Sequence, residues 1–161
     1  MGRLIGNELP EDLYRRLSGV NLDEHAEKVI MISTVDAGGW PHPAMLSYLE
    51  VVARDPRNIR LAPYAGSGST ANMRRNGKLT MSIVDDRVVY YIKGTVREIK
   101  PRMDSAPDLA KLNLQVESVL ADQANQELEA GAYVAGGVTY KNPQLEAEMK
   151  KARVVLKELL E

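Results

Sequence analysis

The chain has 161 residues, the length of one ordinary domain and enough to bury a core without staples. Its 21 Lys and Arg against 22 Asp and Glu leave a net charge of −1, which removes the strongest electrostatic argument for a general nucleic-acid binder. There is no cysteine, so disulfides, thiolate nucleophiles, zinc fingers and iron–sulfur clusters are excluded. The two histidines, His25 and His42, are too few for a self-contained histidine metal site.

Hydrophobic residues make up 44% of the chain, yet no apolar run reaches membrane-spanning length. The opening stretch MGRLIGNELPED has no hydrophobic signal region. The expectation is a cytoplasmic protein with neither membrane nor nucleic acid as partner. Phenylalanine is absent, so the core must come mainly from Val, Leu, Ile, Met and Ala.

In chain order, residues 10–17 read as a short helix, with Pro10 in its first turn and Glu11 and Asp12 at the positive dipole end. Residues 21–27 are polar and read as a helical turn or loop. Residues 29–35 are β-rich. The turn signal Asp36-Ala-Gly-Gly39 leads into a second β run to Ala53, so the pair reads as a hairpin. A short strand over 59–62 follows. Residues 63–77 read as a loop that becomes a helix, capped by Ser69 or Thr70 and ended by Asn76-Gly77. Strands are expected over 79–84 and 88–99.

From 108 to 129 the spacing of Leu109, Leu112, Val116, Val119 and Leu120 predicts a helix with an acidic outer face. Residues 133–140 read as a sixth strand. Residues 144–161 read as a closing helix with an apolar stripe of Leu145, Met149, Ala152, Leu156, Leu159 and Leu160. The expected fold class is mainly β with flanking helices, built as a six-stranded antiparallel barrel. It forms one domain over 1–161, with an N-terminal helical segment over 1–27, the barrel and its inserted helices over 28–140, and a C-terminal helix over 143–161. Short hairpin connections argue against a doubly wound parallel sheet.

One stretch carries a chemical signal. Between Pro56 and Val84 there is no Asp or Glu, while Arg57, Arg60, Arg74, Arg75 and Lys78 all fall there. Within it, Ser67-Gly-Ser-Thr70 stands at a helix start, where unpaired N–H groups and the positive dipole end favour an anion. The functional reading is a phosphate site with an arginine clamp; the plainer one is a capped surface helix with solvated arginines. The loop matches neither the P-loop nor the dinucleotide pattern. No carboxylate pair, Ser-His-Asp set or metal cluster emerges, which favours cofactor chemistry over hydrolysis. His42, fixed between Pro41 and Pro43, reads as a rim residue, with proton donor or axial haem ligand as the functional alternatives. Trp40 reads as a cover for a barrel mouth or a dimer contact.

The blocks VIMISTVDAGGWPHPAMLSYLEV, NIRLAPYAGSGSTANMRRNGKLTMSIVDD and VVYYIKGTVREI, in that order, resemble the pyridoxamine 5′-phosphate oxidase-like family of FMN-binding split β-barrels. The resemblance covers residues 27–100 and implies a homodimer with FMN in a cleft between the two barrels. It implies that Ser67, Ser69 and Thr70, with Arg74 or Arg75, hold the phosphate. Ala44, Met45, Leu46 and Ser47 would lie along the ring edge, and Leu61, Ala62 and Pro63 near the ring or ribityl chain. No metal is implied. Many relatives carry basic residues where this chain has Ala44 and Gly68-Ser69, and the arginine-bearing C-terminal motif of the true oxidases is replaced by an amphipathic helix. A flavin-dependent oxidoreductase acting on something other than pyridoxamine phosphate is therefore expected. The alternatives are the same fold holding haem or a deazaflavin, or a non-catalytic dimeric sensor or scaffold.

Overall fold

The computed structural model describes residues 2–161. Its elements in chain order are β1 (Arg3–Gly6), α1 (Glu11–Arg16), α2 (Leu22–His25), β2 (Val29–Val35), β3 (Pro41–Ser47), β4 (Val51–Asp55) and β5 (Asn58–Leu61). They are followed by α3 (Gly68–Asn76), β6 (Lys78–Asp85), β7 (Val88–Lys100), β8 (Lys111–Asp122) and α4 (Leu145–Leu160). The fold is mainly β, as the sequence predicts, with eight strands among the described residues rather than six. No described helix is long and apolar enough to cross a membrane.

Every strand pairing is antiparallel, and the sheet runs β3-β2-β6-β7-β8-β5-β4 with β1 added against β8. The two ends of this path, β3 and β4, are consecutive in the chain and joined only by Tyr48, Leu49 and Glu50. Such a connector spans at most about 15 Å, so the sheet must curl until its ends nearly meet. No ladder joins them. The result is a barrel with a split between β3 and β4.

The hairpin from β2 to β3 forms as the sequence predicts. Asp36 Oδ1 accepts from the N–H groups of Gly38 and Trp40 at 2.9 Å each, and Gly39 takes φ +84°, a conformation that suits glycine. The predicted strand to Ala53, however, is broken. Ser47 Oγ accepts from Leu49 N–H at 3.2 Å and its carbonyl from Glu50 N–H at 3.2 Å, so the chain turns there and starts β4. The N-terminal helix spans Glu11–Arg16 with Pro10 as its N-cap, and β1, which the sequence reading did not anticipate, precedes it.

The largest departure is residues 108–129. The structure forms β8, a twelve-residue strand, where a helix is predicted. Leu112, Leu114 and Val116 are buried at a spacing of two, and the register against β7 then slips: Ser118 faces Lys93, while Val116 faces Gly94. Glu117 is the extra residue of a bulge, which moves the inward side to Val119. A strand interrupted by a bulge imitates helical spacing. Its partners decide the matter: the thirteen-residue β7 pairs along one edge of β8, and β5 and β1 pair with it as well. The bulge requires Gly94, because a Cβ there would stand 2.1 Å from the Gln115 carbonyl oxygen.

The predicted strand over 133–140 is also corrected. Only one bridge forms, Lys28 with Thr139, flanked by Val29 N–H to the Val138 carbonyl and Tyr140 N–H to the Glu27 carbonyl. Gly136 and Gly137 favour irregular backbone, and Gly137 lies against Val84, where a Cβ would meet Cγ2 at 2.9 Å.

The core is aliphatic. Ile30, Met81, Ile83, Ile92, Leu112 and Leu114 are sealed inside the sheet. Leu13 and Leu17 close one side. Helix α4 packs over β4 and β5 through Ala152, Val155, Leu156 and Leu159, with Val155 taking the inward place predicted for the exposed Leu160. Its C-terminal carbonyls are held by two buried cations. Lys111 Nζ donates to the Glu158 carbonyl at 2.6 Å, and Arg60 Nη1 to the Leu159 carbonyl at 3.3 Å.

Candidate functional site

A cleft of about 490 Å³ opens at the split, a volume within the usual range for small-molecule sites. One wall is β2 and β3: Val29, Ile32, Ala44, Met45, Leu46 and Ser47. The β3–β4 turn adds Leu49 and Glu50. The chain after β5 contributes Pro63 and Tyr64, and the start of α3 contributes Ser67 and Ser69. Tyr140, Asn142, Leu145 and Glu148, from the C-terminal segment and α4, close the opposite side.

The polar end is the N-terminus of α3. Its cap is Ser67, two or three residues before the predicted Ser69 or Thr70, and Ser67 Oγ accepts from Thr70 N–H at 3.2 Å. The Ser67 hydroxyl donates to Thr70 Oγ1 at 3.0 Å, and Thr70 Oγ1 donates to the Tyr64 carbonyl at 2.8 Å. Thr70 is thus buried scaffolding for the loop. Gly68 and Ser69, in the first turn, stand where helix N–H groups have no partner within the helix. No acidic residue occurs in that turn. Residue 68 is glycine beside the His42 imidazole, whose Cε1 and Nε2 would lie 3.6 Å from a Cβ at that point. His42 thereby joins the rim of the loop.

The structure gathers Ala44, Met45, Leu46, Ser47, Pro63, Ser67 and Ser69 into this one cleft. Leu61 and Ala62 lie behind it in the core. Arg74 and Arg75 fasten α3 instead of lining the cleft of this chain. The Arg74 guanidinium donates to the Glu98 carboxylate and to the Ala65 carbonyl, the latter at 2.9 Å. Arg75 Nη2 donates to the Val35 carbonyl and to Asn72 Oδ1, both at 2.8 Å. Buried Asn72 passes this contact on, donating to Thr34 Oγ1 at 2.9 Å. Neighbouring helix positions point about 100° apart, so the sequence could not say where either arginine would go.

Lys28, Glu50, Tyr140, Asn142 and Glu148 are cleft residues that sequence reasoning did not single out. A signal existed for Glu50 alone. Ser47 can fold back on the backbone two residues on, which would have broken the long strand and turned Glu50 into the split. Burial pushes the Glu50 carboxyl up to about 7, against the opposing pull of hydrogen bonds from Ser47.

Large apolar side chains stand open around the mouth: Met45 on β3, Tyr64 and Tyr140, with Trp40 beyond them at the hairpin end. β3 itself is an edge strand, with one side of its backbone unpaired. Among the described residues no cluster of three or more His, Asp or Glu is arranged for a metal ion.

A single antiparallel sheet curled into a split barrel, with a cleft at the split and a helix N-terminus at one end of it, defines the split-barrel class. Residues 23–134 match the family model described as pyridoxamine 5′-phosphate oxidase, and the chain belongs to that family. It is 29% identical over 118 residues to the uncharacterized protein YclD of Bacillus subtilis (strain 168), covering 73% of this chain and 77% of that protein. Among solved structures, a pyridoxamine 5′-phosphate oxidase-type protein from Lactobacillus delbrueckii superposes with a TM-score of 0.56 at 21% identity. That match covers 74% of this chain and 98% of the other. HupZ of Group A Streptococcus gives a TM-score of 0.56 at 17% identity, covering 71% and 99%. At these identities the two structures show the fold.

Proposed function

We propose that the chain is an FMN-binding homodimer that acts as a flavin-dependent oxidoreductase. The carrying observation is the cleft's layout, with an apolar trough along β2 and β3 that ends at the acid-free start of α3. A flavin mononucleotide has that same polarity, an apolar ring system at one end and a dianionic phosphate at the other. The residues fit the group. The amides of Gly68 and Ser69 and the Ser69 hydroxyl would hold the phosphate by charge-assisted hydrogen bonds and the helix dipole. Val29, Ile32, Ala44 and Leu46 would pack on the ring system, and the open backbone edge of β3 would offer hydrogen bonds to its polar rim.

When bound, the flavin supplies the hydride or single-electron chemistry. The chain's own residues bind it, orient it and exclude water. The open Met45, Tyr64 and Trp40 side chains around the cleft suit a second copy closing over the ring. The test is direct. Purified protein should run as a dimer and bind FMN with micromolar or tighter affinity, read by flavin fluorescence. A folded monomer, or one that takes up haem with a Soret band and no flavin, overturns the reading.

A further inference from the structure

One carboxyl in the cleft is not among the groups that would hold a flavin phosphate. Glu50 lies in the three-residue turn where the sheet's two ends approach. Its backbone is pinned on both sides: its N–H donates to the Ser47 carbonyl at 3.2 Å, and its carbonyl accepts from Ala62 N–H at 2.8 Å. Its side chain lines the cleft, where Oε2 accepts from the Ser47 hydroxyl at 3.1 Å.

Among the described residues no cation closes on this carboxyl. The charged and titratable groups sharing the cleft are Lys28 at the approach to β2, Glu148 on α4, Tyr64 after β5 and Tyr140 in the C-terminal segment, and none of them pairs with Glu50. A buried carboxyl in a cleft also lined by Leu46, Leu49 and Pro63, met only by neutral donors of Ser47, favours its uncharged form because its desolvation outweighs those hydrogen bonds. Burial raises its proton affinity until it titrates at about 7.

We propose that Glu50 is a specificity-determining residue of the cleft: with its proton it offers a hydrogen-bond donor to an electron-rich or anionic face of the bound ligand, and without it the carboxylate repels that face. The inference rests on the flavin reading above and adds a selection rule to it. The cleft accepts an electron-rich ring edge below neutrality and disfavours it above.

The test compares wild type with Glu50→Gln, using riboflavin and FMN as probes at about pH 5.5 and about pH 8.5. Riboflavin is needed because the second ionisation of the FMN phosphate, near about 6, has its own pH effect. Wild type should bind riboflavin about tenfold more weakly at the higher pH. Glu50→Gln, with a permanent neutral donor, should bind equally at both, near the low-pH affinity of wild type. One pH profile shared by both proteins overturns the inference and leaves the flavin reading standing. Binding of neither flavin to either protein overturns the flavin reading, and the inference falls with it.

A second measurement needs no ligand. The folded carboxyl keeps its proton up to about 7, whereas the unfolded chain loses it near about 4.3. The stabilisation is therefore fully present below the unfolded value and is lost as pH rises through that window. Thermal unfolding of wild type should show this fall, and Glu50→Gln should lack it while still folding. Parallel pH profiles for the two proteins overturn the inference even where flavin binds.

Discussion

Two helix ends in this molecule have opposite fates. The C-terminus of α4 is braced by the chain: Lys111 and Arg60, both buried, donate to the Glu158 and Leu159 carbonyls, and the Glu158 side chain accepts from the N–H groups of Asp104 and Ser105 at 2.8 and 2.7 Å. The N-terminus of α3 is only partly closed. Ser67 and Thr70 satisfy each other and the loop, while Ser69 in the first turn lines the cleft. A terminus whose carbonyls are met by buried cations of the chain serves the fold. One left open at the end of an apolar trough can serve a ligand. Arg74 and Arg75 belong to the first kind although they sit on the second helix, because their donors go to backbone carbonyls and to Glu98 and Asn72.

The contrast can be broken or sharpened by substitution. The largest effect should come from the sheet that carries both ends. Gly94→Ala places a methyl group 2.1 Å from the Gln115 carbonyl oxygen, and should cost more than about 3 kcal/mol in chemical denaturation. Next, Lys111→Glu would put a negative charge at the negative end of α4. A loss of about 2–3 kcal/mol, a fall in melting temperature of about 5–10 °C, is expected, with flavin affinity per folded molecule unchanged. Ser69→Asp inverts that pattern. A carboxylate in the first turn of α3 suits the helix dipole, which offsets part of the cost of a charge at this buried position, so stability should fall by no more than about 1–2 kcal/mol. FMN affinity should fall about 30- to 100-fold through repulsion of the phosphate. Unchanged FMN affinity in a folded Ser69→Asp protein would show that both termini are structural. The smallest effect is expected from Arg74→Ala. Its pair with Glu98 is about one-third exposed, so stability should change by less than about 1 kcal/mol, and flavin titration should return an affinity within about twofold of wild type.

Much of this was legible beforehand for stated reasons. The hairpin turn at Asp36 and Gly39, the helix stop at Gly77 and the acid-free stretch around Ser67 are local chemistry, and local chemistry is written in sequence order. The seven cleft residues recognised from the family resemblance sit on β3, after β5 and at α3, three segments distant in sequence that the split brings together. The errors fell where two periodicities compete. β8 looked helical because the bulge at Glu117 breaks its alternation of two. The run through Tyr48 looked continuous because Ser47 ends β3 with a side-chain turn that has no glycine or proline to announce it.

By itself the sequence determined an antiparallel β protein with a serine- and glycine-bearing, acid-free loop at a helix start, since alternation, turn residues and caps act over a few neighbouring positions. Tertiary structure alone decided that residues 111–122 are a strand, that Arg74 and Arg75 brace α3, and that Glu50 faces the cleft. Each of those depends on which partner reaches a side chain or a strand edge across the closed sheet, and such distances are fixed only when the barrel curls.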